Sequence, residues 1–234
     1  MEEISSGDIR RFFSLIAPKY DFFNNLLSAK RQEAWKRRLV QCAFAAEKGR
    51  VLDLCTGTAD LAVLFASNRG YKRITAVDFS DAMLRQARQK IEKYGLKGRI
   101  DLVQADALKL PFSPGSFNVV AVAFGLRNLV DRRRAMEEIR RVLAPRGKLA
   151  ILEFCNPRAS FASRLILVYL SYIAPFIIRI FSGKAGIYKY LVSSINDFFT
   201  PGELVDLLDS AGFAKPYSQR IDFGIAHMFV AEKI

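Results

Sequence analysis

The chain has 234 residues, 51% of them hydrophobic, and a formal net charge of +13. That length and apolar content can bury a core without staples, and one α/β domain over 1–234 is expected. The three cysteines, Cys42, Cys55 and Cys155, are too few and too scattered for a disulfide framework or a CxxC site, so no metal is expected and a reducing cytoplasm fits. The acidic, polar start Met1–Asp8 does not read as a signal peptide. The positive charge leaves nucleic acid, anionic lipid and plain solubility open as explanations. Its clusters, Lys36-Arg37-Arg38 and Arg132-Arg133-Arg134, fall in helical patterns where a solvated face is the ordinary meaning. With neither zinc-finger spacing nor a basic tail, a nucleic-acid partner is disfavoured.

Residues 8–48 read as helical and form an N-terminal lid over 1–48. Phe12, Phe13, Leu15 and Ile16 make one apolar face, Pro18 interrupts it, and Trp35, Leu39, Val40 and Phe44 make another. From 49 to 155 strand and helix patterns alternate. Strands are predicted near 50–54, 73–77, 99–103, 117–123 and 148–154, and helices near 58–68, 80–94 and 131–143. Turn signals sit at Gly70, Gly95 with Gly98, Pro111 to Gly115, and Pro145 to Gly147. Short apolar strands alternating with helices predict a doubly wound, mostly parallel sheet with helices on both faces. The stretch 156–200 reads as an apolar helical insertion. Between Arg164 and Arg179 it has about 14 uncharged residues, interrupted by Pro175. That is short of the roughly 20 that span a bilayer, so core packing or an apolar substrate lid is expected there, not a membrane span. Over 201–234, a helix near 201–211, a stop at Gly212 and strands near 215–222 and 225–232 are predicted. These strands bring the sheet to seven and pair antiparallel at its edge.

The chemistry begins where the first strand ends. Val51-Leu52-Asp53-Leu54 runs into the turn Cys55-Thr56-Gly57-Thr58-Ala59-Asp60, and Ile74-Thr75-Ala76-Val77 ends in Asp78, about 20 residues past Gly57. This strand–turn–helix–strand–acid unit is how open α/β sheets hold a nucleoside. A pyrophosphate needs GxGxxG so that bare backbone can approach it, and this turn keeps one glycine. It suits a cofactor without phosphates, whose amino-acid and ribose parts lie along Gly57 and Thr58; S-adenosyl-L-methionine is of that kind. Asp53 is a candidate for its ammonium group. Asp78, with Phe79 beside it, is a candidate for both ribose hydroxyls, because a carboxylate accepts in two places. Asp106, at the end of the third strand, is placed for the adenine amino group, with the Ala107 N–H near the ring. Ala123, at the end of the fourth strand, completes the set. Each acid alone could instead be a turn or loop acid, and Asp81 reads as a better helix cap than Asp78.

These residues resemble the class I S-adenosylmethionine-dependent methyltransferases, and among them the ubiquinone/menaquinone-biosynthesis C-methyltransferases (UbiE/MenG type). The likeness covers nearly the whole chain. It is carried by Tyr20-Asp21-Phe22-Phe23-Asn24-Asn25-Leu26-Leu27-Ser28 with Trp35, by Leu110-Pro111-Phe112 and Phe117, and by Phe124-Gly125-Leu126-Arg127-Asn128. Arg141 to Gly147, Leu152-Glu153-Phe154 and Gly224-Ile225-Ala226-His227 add to it. The chain departs from the family pattern at Gln32, Thr56, Ala59, Ala123 and Ala144 to Gly147.

The resemblance implies a C-methyltransferase acting on a prenylated quinol, a demethylmenaquinol or a ubiquinol precursor, by a cytoplasmic enzyme that touches an anionic membrane peripherally. A methyltransferase of another small molecule or of RNA, and a non-catalytic binding module, are the alternatives. The oligomeric state is left open, a homodimer included. Four residues are implicated in catalysis. Arg127 and Asn128 follow the fourth strand on the same rim as the acids, where Arg127 would stabilise a phenolate or pair structurally with an acid. Tyr20 would cover the methionine part of the cofactor or pack in the core. His227, the one histidine, is catalytic or packing. Glu153 reads as a buried acid near the substrate or a rim ion pair.

Overall fold

A computed structural model describes residues 6–22, 28, 31–43, 49–68, 70–71, 73–156, 186–224 and 226–234. Seven strands form one sheet in the order β3-β2-β1-β4-β5-β7-β6. Strands β1 (Arg50–Leu54), β2 (Arg73–Asp78), β3 (Ile100–Gln104), β4 (Phe117–Ala123) and β5 (Leu143–Phe154) pair in parallel. Strand β7 (Ala226–Lys233) lies antiparallel between β5 and β6 (Phe213–Ile221), so β6 is the edge. The expected parallel sheet with an antiparallel C-terminal hairpin is present. The Pro145–Gly147 turn signal lies inside β5, where the pairing with β4 shifts register between Phe117 and Val119 and Arg146 adopts a φ of 61°.

The helices form because their apolar residues recur at helical spacing and their ends are capped. In α1 (Ser6–Ile16) the apolar face ends at a 3₁₀ turn, Ala17–Lys19, that contains Pro18. Next come α2 (Arg31–Cys42) and α3 (Asp60–Ser67). Helix α4 (Asp81–Lys93) buries Met83, Leu84, Ala87 and Ile91, and α5 (Arg132–Val142) buries Ala135, Met136, Ile139 and Val142. Helix α6 (Gly186–Asn196) precedes α7 (Pro201–Ser210), which starts with a capping box between Thr200 and Glu203. Asp131 caps α5 by accepting from the Arg134 N–H at 2.9 Å. The cap of α4 is Ser80, not Asp81: its hydroxyl accepts from Met83 N–H, and Asp81 is the first helical residue.

The sheet carries a core on each face. Leu39 of α2, Phe65 of α3, Ile91 of α4 and Ile195 of α6 pack on one. Met136 and Ile139 of α5 and Leu204 and Leu208 of α7 pack on the other. Central strands buried on both faces explain the near-continuous apolar runs in β1 and β4. Strand β1 is flanked by β2 on one side and β4 on the other. The strand order reverses there, and the crevice that opens beyond such strand ends is where a ligand fits. Most of the apolar stretch 156–200, including the uncharged part between Arg164 and Arg179, lies outside the described residues. Among the described residues no helix is long and apolar enough to cross a membrane.

Candidate active site

A cavity of about 420 Å³ opens at the carboxyl ends of β1, β2 and β4. Gly57, Asp78, Phe79, Asp106, Ala107 and Ala123 line it, as do Tyr20 and Asn128. Much of its lining is apolar, with Leu54 from β1, Val77 from β2, Met83 from α4, Leu108 from the loop after β3, and Ile9 and Phe13 from α1.

The backbone around it is bent in an unusual way. Cys55, Gly57 and Ala59 after β1, and Phe124 after β4, all have positive φ. For residues other than glycine this conformation is costly and tends to mark functional sites. A Cβ on Gly125 would stand 2.4 Å from Cys55 Cβ, so the two strand ends can approach only because position 125 is glycine. Each residue of the Thr56–Thr58 turn is then fixed by a different partner. The Thr56 hydroxyl donates to Asp53 Oδ2 at 2.5 Å, the Gly57 N–H donates to Asp78 Oδ2 at 2.8 Å, and the Thr58 hydroxyl donates to Asp21 Oδ1 at 2.6 Å.

Asp78 is buried yet faces the cavity. Its second oxygen accepts from the Ser80 N–H at 2.9 Å. Burial raises its carboxyl above the usual range, while the Ser80, Gly57 and Phe79 N–H groups act in the opposite sense. A carboxylate has acceptor capacity beyond these bonds. Asp106 is exposed and accepts from the Leu108 N–H at 2.9 Å. Asp53 is 1% exposed and does not line the cavity; Oδ2 also accepts from the Ala62 N–H at 2.9 Å. Burial pushes it up to about 7, against the Thr56 hydroxyl and the Lys36 charge. Thr58 is likewise buried behind the turn.

The residues beyond β4 divide in the same way. Asn128 lines the cavity, donates to the Phe124 carbonyl at 3.3 Å and accepts from the Tyr190 hydroxyl at 2.9 Å. The Arg127 side chain is 8% exposed and stands behind the wall. Its Nη1 donates to Glu153 Oε1 at 2.7 Å and to the Phe124 carbonyl at 2.8 Å, and its Nε donates to Ser194 at 3.3 Å. Glu153, fully buried, also accepts from the Arg127 N–H at 3.2 Å. His227 is paired opposite Glu153 across β5 and β7, which places both side chains on one face of the sheet. Its Nε2 is 3.2 Å from the Gly224 carbonyl, its ring stacks on Phe229, and burial lowers its pKa. It does not line the cavity.

The fit to a ligand can be judged from charge. Among the described residues the cavity is lined by two carboxylates, Asp78 and Asp106, and by no lysine, arginine or histidine. In a chain of net charge +13, that is a site for a cationic or neutral ligand and a poor one for a phosphate. Sequence reasoning missed Ile9, Phe13, Met83, Gln104, Leu129 and Val130 among the lining residues; the apolar face of α1 was the available signal for Phe13.

The family model described as the ubiE/COQ5 methyltransferase family matches residues 1–233. The chain belongs to that family. It is 40% identical over 221 residues to the demethylmenaquinone methyltransferase of Thermus thermophilus, covering 94% of this chain and 99% of that one. It is also 40% identical over 226 residues to the ubiquinone/menaquinone biosynthesis C-methyltransferase UbiE of Geobacter sulfurreducens, covering 96% and 88%. Its fold is similar to the crystal structure of a SAM-dependent methyltransferase from Aquifex aeolicus, with a TM-score of 0.66 at 17% identity over 92% of this chain and 98% of that one. As a member of the family, the chain is a methyltransferase.

Proposed function

We propose that the cavity seats the nucleoside of the methyl donor and presents its methyl group to a prenylated hydroquinone. The chain is an S-adenosyl-L-methionine-dependent C-methyltransferase of quinone biosynthesis. When bound, S-adenosyl-L-methionine supplies a methyl group on a positively charged sulfur, open to attack by a carbon nucleophile. The observation that carries the site assignment is the cavity wall itself: two carboxylates, no cation, and a turn with too few glycines for a pyrophosphate.

Asp78 takes the ribose hydroxyls, and Asp106 with the Ala107 N–H takes the adenine edge. Phe79 and Ala123 close on the ring and the donor. Gly57 and Thr58 shape the path of the amino-acid portion, and Asp53 holds that path from behind through Thr56 and Ala62. Tyr20 and Phe13 cover the cavity and keep water from the reacting atoms. Asn128 faces the acceptor and, with its amide aligned by Tyr190 and the Phe124 carbonyl, holds the acceptor oxygen. A hydroquinone carbon becomes nucleophilic once a neighbouring hydroxyl loses its proton, so a site that favours the phenolate favours transfer. Arg127 contributes from one layer back, as a positioning residue that fixes the Phe124–Asn128 turn. His227 belongs to the packing behind Glu153.

The acceptor we favour is demethylmenaquinol, and the enzyme meets it at an anionic membrane surface. The net charge of +13 and the half-exposed Val130 on the cavity wall support this docking. The test is to incubate the protein with methyl-labelled S-adenosyl-L-methionine and cell extract separated into lipid, RNA and water-soluble fractions. Label is expected in the lipid fraction. Label confined to RNA or to water-soluble compounds would refute the quinol reading.

A further inference from the structure

Beneath the Gly57 turn lies a group of charges that the transfer chemistry does not use. The Lys90 ammonium, on α4, is 2.6 Å from Asp21 Oδ2, donates to the Thr58 hydroxyl at 2.9 Å and pairs with Asp60 Oδ1. Asp60 Oδ2 pairs in turn with Lys36 of α2 at 2.9 Å. The two lysine side chains are 16% and 10% exposed, so neither charge could stand there alone. Two ammonium groups against two carboxylates leave the group neutral. Burial works to raise Asp60, but Lys36 and Lys90 overcome it and pull the acid down to about 2. Burial works to lower Lys90, and the Asp60 and Asp21 carboxylates overcome that as well.

The members come from two parts of the chain. Thr58, Asp60 and Lys90 follow β1 and β2, whereas Asp21 and Lys36 come from the N-terminal segment. Asp21 immediately follows Tyr20, and a Cβ on Gly57 would stand 3.8 Å from Tyr20 Cε1. The Tyr20 ring therefore lies against Gly57 while its neighbour's carboxylate is bonded to the next residue of the turn, Thr58.

We infer that Asp21, Thr58 and Lys90 are positioning residues, an ionic latch that holds Tyr20 over the bound methyl donor and so sets donor affinity. The inference rests on the reading of the cavity as the donor site. The charge pair supplies the attraction, and the Thr58 hydroxyl, shared between carboxylate and ammonium, fixes the geometry. Neither Asp21 nor Lys90 lines the cavity, so both act on the donor through the residue they hold.

Two measurements test it. The first is hydrogen–deuterium exchange on the protein without ligand. Asp21→Asn keeps the size and an acceptor for Thr58 but removes the charge, and it should speed exchange at residues 17–22 at least 5-fold while leaving β1, β4 and β5 unchanged. The second is a double-mutant cycle on S-adenosylhomocysteine affinity, read by calorimetry. Asp21→Asn or Lys90→Met should weaken binding about 5- to 10-fold when Tyr20 is present, and less than 2-fold when Tyr20 is already Ala. Unchanged exchange at 17–22, or equal losses in the two Tyr20 backgrounds, would overturn the latch. Failure of the parent chain to bind S-adenosylhomocysteine would instead sink the donor-site reading, and the exchange experiment would still decide whether the latch exists.

Discussion

At the end of β2 a carboxylate faces the cavity; beyond β4 and near the end of β5 two buried charges face each other. Asp78 accepts one backbone N–H bond on each oxygen and faces the cavity. Arg127 and Glu153 spend theirs on one another and on the Phe124 carbonyl. On the proposed reading the first arrangement binds, and the second shapes. A group that must meet a ligand tolerates burial only if the backbone supports its charge from behind. A group that sets the course of a turn is better neutralised inside the protein, where it does not compete for the ligand. The same division separates Asp106 and Asn128, which line the cavity, from Asp53, Thr58 and His227, which stand behind it.

Removing one partner from the shaping pair should have the largest effect. Glu153→Ala leaves Arg127 buried without its counter-charge, and a loss of about 3–5 kcal/mol of folding stability is expected. Thermal or urea unfolding measures it, and a cost below about 1 kcal/mol would show that the pair does not hold the Phe124–Asn128 turn. On the binding side, Asp78→Asn should weaken S-adenosylhomocysteine binding by about 1.5–3 kcal/mol, roughly 10- to 150-fold, as expected for losing hydrogen bonds to a charged acceptor. Calorimetry reads this directly, and unchanged affinity would remove Asp78 from the donor site. The smallest effect should come from Tyr190→Phe. It deletes one bond to Asn128, about 1 kcal/mol, and should lower kcat/KM for the acceptor by about 5-fold while leaving donor affinity alone. A change in donor affinity instead would assign Asn128 to the donor and not to the acceptor.

The binding half was the more legible in sequence. Gly57, Asp78, Asp106 and Ala107 sit at strand ends, and strand ends follow from apolar runs and turn residues within a few positions. Strand topology then gathers them on one rim. The shaping half depends on pairs that no local pattern marks. Arg127, in the turn after β4, and Glu153, on β5, are 26 residues apart, and nothing about either residue alone names the other. Lys90 meets Thr58 across 32 residues, through helix docking that periodicity cannot specify. The face of α1 was readable as apolar, but not that Ile9 and Phe13 would turn toward the cavity. The cap of α4 fell one residue from its predicted position because Ser80 and Asp81 are both good caps and only the backbone path chooses between them.

The central claim is that the donor's methyl group reaches a ring carbon of a prenylated hydroquinone. The most direct test supplies purified demethylmenaquinol and S-adenosyl-L-methionine labelled with ¹³C in its methyl group, and locates the label in the isolated product by NMR. A single labelled methyl bonded to the quinone ring carbon is the predicted result. Label on a ring oxygen as a methyl ether, or no label in the quinol while another acceptor takes it, would contradict the account.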